Sequence, residues 1–247
     1  MPIRNVEAAV YGRGLKGKRN VMLNHFAMYI EGIMMEDARE WYLEKTVERT
    51  ILSLEKNGFK AEKVADRKEA LHWLLSRISP EAGIGIGGSI TLREIGIVEA
   101  LEQRGNTVYQ HWRKGLSSIE REEIRRRQLT SDVFLTSSNA VTEKGELVNI
   151  DGAGNRVASM IYGPGEVIVV VGNNKIVRNL EQAIDRVRNV AAPINCKRLE
   201  LRTPCAETGR CEDCDSPNRI CRVMTIMERN PSGSNTTVLI VKEALGF

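Results

Sequence analysis

From residue 36 onward the chain alternates between two apolar patterns, one with helical spacing and one of short continuous runs. Leu43, Val47, Ile51 and Leu54 recur at helical intervals, so an amphipathic helix is expected over residues 36–57, stopped by Gly58. Strand-length runs follow at 59–64, 83–87, 107–109, 132–136, 146–150, 167–171 and 237–241. Helical patterns lie between several of them, at 68–78, 92–104, 119–128 and 180–191. Ser117 with Glu120 reads as a capping box, and Asn179 with Gln182 as a second cap. This order predicts an α/β fold, a mostly parallel sheet buried on both faces by flanking helices.

Composition narrows the class. With 247 residues, 42% of them hydrophobic and 28% charged, the chain can bury a sizeable core and is not a disordered polymer. No apolar run approaches the roughly 18 residues that span a bilayer, so no membrane partner is expected. The net charge of +4 is concentrated at the start, where Arg4, Arg13, Lys16, Lys18 and Arg19 outnumber Glu7 and Glu31. The remainder is nearly balanced and only 5% aromatic, which argues against a nucleic-acid partner. Residues 1–34 have no sustained apolar period and no secretory signal pattern, and a cytoplasmic location is expected. They read as an N-terminal extension, disordered or not native, with Met35 as an alternative start, ahead of a domain over 35–247. A docked N-terminal arm is the other reading. The Arg121–Arg127 run reads as a solvated helix face, and Trp41, Trp73 and Trp112 as packing residues.

Three segments carry candidate chemistry. In the first, a strand passes through Gly87, Gly88 and Ser89 into a helix. Gly83, Gly85 and Gly88 formally satisfy GxGxxG, yet two fall inside the strand and no acidic residue ends the next one, so a dinucleotide site is poorly supported. Backbone N–H groups at the helix start, with Thr91 beside them, suit a phosphate or carboxylate. The alternative is a tight turn followed by a Thr91–Glu94 capping box. In the second, Asn139 follows one strand, Asp151, Gly152 and Asn155 another, and Asn174 and Lys175 a third. Ligands of open α/β sheets sit beyond the carboxyl ends of strands, so these residues are expected to share a pocket for a small anionic metabolite. Lys175 and Asp151 are expected to pair with its charges or move protons. Turn chemistry explains any one of them alone, and no catalytic residue is assigned.

In the third, Cys205, Cys211, Cys214 and Cys221 form C-x5-C-x2-C-x6-C, with Cys196 upstream as a bystander. A compact thiol quartet in a chain without a secretory signal reads as a metal site, either an iron–sulfur cluster (4Fe-4S) or zinc. The cluster is favoured because the loop lacks the form of paired zinc knuckles. Arg202, Arg210, Arg219 and Arg222 are placed to offset its negative charge.

Residues 85–92 (GIGGSITL), 132–145 (DVFLTSSNAVTEKG) and 147–158 (LVNIDGAGNRVA) resemble the LUD (lactate utilisation) domain family, and the cysteine loop within 196–222 is similar to a subgroup of it. The resemblance implies a fold like the NagB/RpiA/CoA-transferase group and an association with oxidation of L-lactate to pyruvate beside iron–sulfur oxidoreductase subunits. No glutamate matches the catalytic residue of the CoA transferases. A CoA- or sugar-phosphate-type transferase or isomerase, and a metal-dependent sensor or assembly subunit, stay open, as does a homo-oligomer.

Overall fold

The computed structural model describes residues 16–247, with side chains from Met34 onward. Helix α1 (Lys16–Lys56) begins well upstream of residue 36, because helix propagation costs little once a nucleus exists. Residues 1–15 of the expected extension lie outside the described residues, and 16–34 are helical. The chain divides into two compact units at Tyr42 and Leu43.

In the larger unit the elements follow as β1 (Lys60–Val64), α2 (Arg67–Arg77), β2 (Gly83–Ile86), α3 (Ile90–Ile95), α4 (Ile97–Arg104), β3 (Thr107–Tyr109), α5 (Ser118–Gln128) and β4 (Val133–Thr136). Then come β5 (Ala140–Thr142), β6 (Leu147–Asp151), α6 (Asn155–Ile161), β7 (Glu166–Gly172), a 3-10 turn (Asn173–Lys175), β8 (Ile176–Val177) and α7 (Leu180–Arg186). A π-helical turn (Val187–Ala191), α8 (Ala192–Arg198), α9 (Pro204–Thr208), β9 (Val223–Met227) and β10 (Thr236–Val241) complete it.

Six strands form one all-parallel sheet in the order β1-β10-β7-β4-β2-β3. Side chains alternate across its pleat. Ile168 and Val170 of β7 join Leu135, Leu239 and Val241 in a core beneath α2, α3 and α4, while Val167, Val169 and Val171 join Phe134, Val238 and Ile240 in a second core. Val47 and Leu54 of α1 belong to that second core. Burying each such side chain is worth about 1.5–3 kcal/mol, which explains why these central strands read as continuous apolar runs.

The run at 146–150 is not part of this sheet. It is β6, in a separate four-stranded sheet ordered β8-β5-β6-β9, antiparallel to β5 and β9. The segment from Thr142 to Glu146 closes a hairpin, with the Gly145 N–H donating to the Thr142 carbonyl at 2.9 Å, and such a short connection permits only antiparallel pairing. Gly145 is required there. It has φ +82°, and a Cβ would lie 2.7–2.8 Å from the Ser53–Leu54 backbone. The Ser117–Glu120 capping box and the Asn179 cap, which accepts from the Gln182 N–H, are both present.

Candidate functional site

The carboxyl ends of β2, β4 and β7 open on a cavity of about 270 Å³, closed on the other side by β6, α6 and α8. Gly88, Ser89, Asn139, Asp151, Gly152, Asn155 and Lys175 all line it. Three expected members stand back from the wall. Gly87 serves packing, since a Cβ there would lie 2.7 Å from Thr136 Oγ1 and 2.9 Å from Phe134. Asn174 fastens the C-terminal segment, its Oδ1 accepting from the Leu245 N–H and its Nδ2 donating to the Gly246 carbonyl. Thr91 is fully buried behind Lys175. The Thr91–Glu94 box does not form. Ser89 caps α3 by accepting from the Leu92 N–H, and Glu94 accepts from the Gly246 N–H at 2.7 Å.

Asp151 is committed to the protein. One of its oxygens accepts from Arg156 Nε at 2.9 Å, and the other from the Arg156 and Val157 N–H groups that open α6. Arg156, nearly fully buried, donates further to the Ser137 and Ile150 carbonyls and to the Oδ1 atoms of Asn139 and Asn149. This buried pair ties the ends of β4 and β6 together, and its own charges cancel. Asp151 therefore positions Arg156 and is not a free acid or base.

The remaining charge of the wall is positive. Arg93, Arg125 and Arg198 line the cavity beside that neutral pair, with Lys175 and the last residue, Phe247, and no further carboxylate side chain does; Arg125 pairs with Glu122 at 3.7 Å. Among the described residues Arg93 and Arg198 carry no ion pair. Arg93 lies over the Trp112 ring at 5.2 Å, and Arg198 donates to Asn195 Oδ1. Burial and then the charge of Arg93 bring the Arg198 guanidinium below its ordinary pKa, as expected for two cations facing one space. Arg125 has its Nε buried without a hydrogen-bond partner, so the Arg121–Arg127 run is not wholly a solvated face.

His111 and Trp112, just past β3, form another part of the wall. Gln128 Nε2 donates to the carbonyls of Ile86 and Tyr109 and lies 3.1 Å from His111 Nδ1. Those carbonyls fix the amide orientation, and because an amide NH2 does not accept, a proton on Nδ1 would have no partner there, which places the imidazole proton of the neutral ring on Nε2. Burial, with the charge of Arg125, pushes the His111 pKa down to about 4, so the ring is neutral near pH 7 and offers one N–H.

Lys175 is the most perturbed lysine of the site. It is 3% exposed, and burial, reinforced by Arg186 and Arg156, brings its pKa from 10.5 down to about 7 against a small opposing effect of Glu94. Its Nζ donates to Thr91 Oγ1 at 2.8 Å and to Ser137 Oγ at 2.9 Å.

The cysteine loop adjoins the same cavity. Ile220 contributes to the wall, and the Arg222 N–H donates to the Asp151 carbonyl at 2.9 Å. All five cysteines are free thiols; Cys196 is buried, and Cys205, Cys211, Cys214 and Cys221 are half-buried. Cys196 is not remote from the others. Burial pushes its thiol up to about 11, and Cys205 and Cys221 act on it in the same direction. Arg219 donates to the Cys214 and Cys221 carbonyls while pairing with Asp213 at 2.8 Å. Among the described residues no three His, Cys, Asp or Glu side chains are arranged to hold a metal ion.

Arg93, His111, Trp112, Arg125, Arg156 and Arg198 were not expected in the site from sequence. His111 and Trp112 follow a predicted strand and obey the same strand-end rule as Asn139, so that signal was present. Arg198 had none, because α8 has no distinct helical period of its own.

The sequence profile of the LUD domain matches residues 47–241. The chain belongs to the LUD domain family. Membership associates this LUD chain with lactate utilisation at the level of the family, and its α/β architecture agrees with the expected fold class. Among solved structures it is similar to a DUF162 family protein from Deinococcus radiodurans, with 14% identity, a TM-score of 0.45, and coverage of 81% of this chain and 96% of that one. No curated protein matches it. No described helix is long and apolar enough to cross a membrane.

Proposed function

We propose that this LUD chain binds a small organic-acid anion of the lactate and pyruvate class in the strand-end cavity and acts in the oxidation of lactate or a related acid. The observation that carries this is the imbalance of the wall: among the described residues the Arg93 and Arg198 guanidinium groups carry no ion pair, and the single carboxylate side chain lining the space, Asp151, is already neutralised by Arg156. A bound carboxylate supplies the missing charge, and guanidinium groups suit it because they donate in a planar fork. The Trp112 ring backs Arg93, and the neutral His111 N–H offers a donor to a hydroxyl or carbonyl oxygen. A volume of about 270 Å³ suits a small acid better than a whole nucleotide cofactor.

The same reading assigns a metal to Cys205, Cys211, Cys214 and Cys221. The donor set fits, being all-thiol, half-buried and flanked by Arg202, Arg210, Arg219 and Arg222. The thiols are not gathered in advance, so binding would order the loop, as metal binding and folding commonly couple. A 4Fe-4S cluster there would supply one-electron transfer, and zinc would supply order alone. Iron–sulfur partner subunits are the proposed electron acceptors.

Calorimetric titration of the protein with pyruvate, L-lactate, inorganic phosphate and a sugar phosphate tests the ligand class. Saturable binding of the organic acids supports the proposal. Tight binding restricted to the phosphorylated compound would instead favour sugar-phosphate or CoA-type transfer chemistry.

A further inference from the structure

Resting on the reading of the cavity as an organic-acid site, we infer that Lys175 is a catalytic nucleophile whose amine adds to the carbonyl carbon of a bound 2-oxo acid to form an imine. Its placement supplies the geometry. Lys175 closes the 3-10 turn after β7, so its backbone is set by the central strand of the sheet, and its side chain lines the cavity. The two hydroxyls that receive its protons have their own protons directed elsewhere. Thr91 donates to the Leu245 carbonyl, and Ser137 to the Ser138 carbonyl, both at 3.3 Å. Each hydroxyl is thereby left as an acceptor toward Nζ.

A neutral amine has two N–H groups and one lone pair. Two acceptors satisfy the N–H groups, and the lone pair takes the remaining tetrahedral position. An ammonium at the same place would have a third proton with no acceptor among the described residues, and no carboxylate there forms an ion pair with it. The charged groups that act on it are Arg186 of α7, Arg156 of α6 and Glu94 of α3, two cations against one acid that makes no ion pair with it. The amine accordingly loses its proton near pH 7, where an ordinary lysine is almost wholly charged.

The chemistry needs no partner besides the acid. The nitrogen lone pair forms the C–N bond while the carbonyl π pair moves to oxygen, which takes a proton released from nitrogen. The carbinolamine then expels its hydroxyl, with one more proton, as water, leaving the C=N bond. Arg93 and Arg198 are placed to hold the carboxylate during these steps, and the Ser137 hydroxyl, touching Nζ, is placed to pass protons.

The test is reductive trapping of the full chain with pyruvate and sodium borohydride, followed by intact mass and peptide mapping, with pyruvate binding measured in parallel by calorimetry. One adduct, mapped to Lys175 and absent from Lys175→Arg, is expected. Its rate of formation should rise about tenfold for each pH unit below pH 7 and level off above it, as the amine loses its proton. Peptide mapping of the wild-type protein decides the point even where Lys175→Arg does not fold. Saturable pyruvate binding with no adduct, or with adducts spread over exposed lysines, overturns the inference and leaves the organic-acid site standing. Absence of any pyruvate binding overturns both.

Discussion

Replacing Lys175 with methionine tests the burial of the amine without any ligand. The fold brings its pKa from 10.5 to about 7. Between these values the folded protein keeps the amine neutral while the unfolded chain carries the proton. The unfolded state then binds more protons, so stability rises with pH through this window. Below the folded value both states are charged and the penalty is constant; above the unfolded value both are neutral and it vanishes. The full displacement corresponds to a cost on the order of 5 kcal/mol, of which about 2 kcal/mol is relieved between about pH 7 and about pH 9. Urea unfolding of wild type and Lys175→Met over that range gives the comparison, because the other titrating groups cancel in the difference. Wild type should gain about 2 kcal/mol relative to the variant as pH rises. A difference independent of pH would mean that the lysine is charged throughout, and the reasoning about its neutral form would fail.

Other changes probe separate parts of the account. Arg198→Ala should weaken pyruvate binding about tenfold in calorimetry by removing a charged hydrogen bond, while unchanged affinity would take Arg198 out of the anion clamp. Asp151→Asn leaves the buried Arg156 without its counter-charge and should lower unfolding stability by about 3 kcal/mol in urea, whereas a neutral result would contradict the pairing. Gly246→Ala puts a Cβ 2.5 Å from Thr91 Oγ1 and 3.1 Å from Lys175 Nζ at φ +62°, and should cost about 1–2 kcal/mol in the same assay. Cys211→Ser should reduce the metal content of anaerobically purified protein, read by elemental and sulfide analysis, and full retention would remove Cys211 from the ligand set.

The parallel sheet was legible because its central strands are buried on both faces, so runs such as Val167–Val171 carry only one interpretation. The second sheet was not. Ala140–Thr142 and Val223–Met227 are short or half-exposed, and the need for glycine at 145, in the hairpin that pairs β5 with β6, comes from the Ser53–Leu54 backbone, far away in sequence. The strand-end rule found Asn139, Asp151 and Lys175 but could not separate their roles. Asp151 turned out to be bound to Arg156, and Lys175 to donate to two hydroxyls and pair with no carboxylate, and only the packed chain distinguishes the two. Gly83, Gly85 and Gly88 formally matched a dinucleotide fingerprint, yet Gly85 makes room for Phe134 inside the sheet, as Gly87 does, while Gly88 and Ser89 line the cavity. In the cysteine loop, spacing singled out Cys205, Cys211, Cys214 and Cys221 and missed that Cys196, carried by α8, lies against Cys205.

The most direct test of the central claim is a crystal structure of the protein soaked with pyruvate. A carboxylate is expected between Arg93 and Arg198, with the carbonyl carbon at the Lys175 amine. An empty cavity at a concentration that saturates the protein in solution, or pyruvate bound elsewhere on its surface, would contradict it.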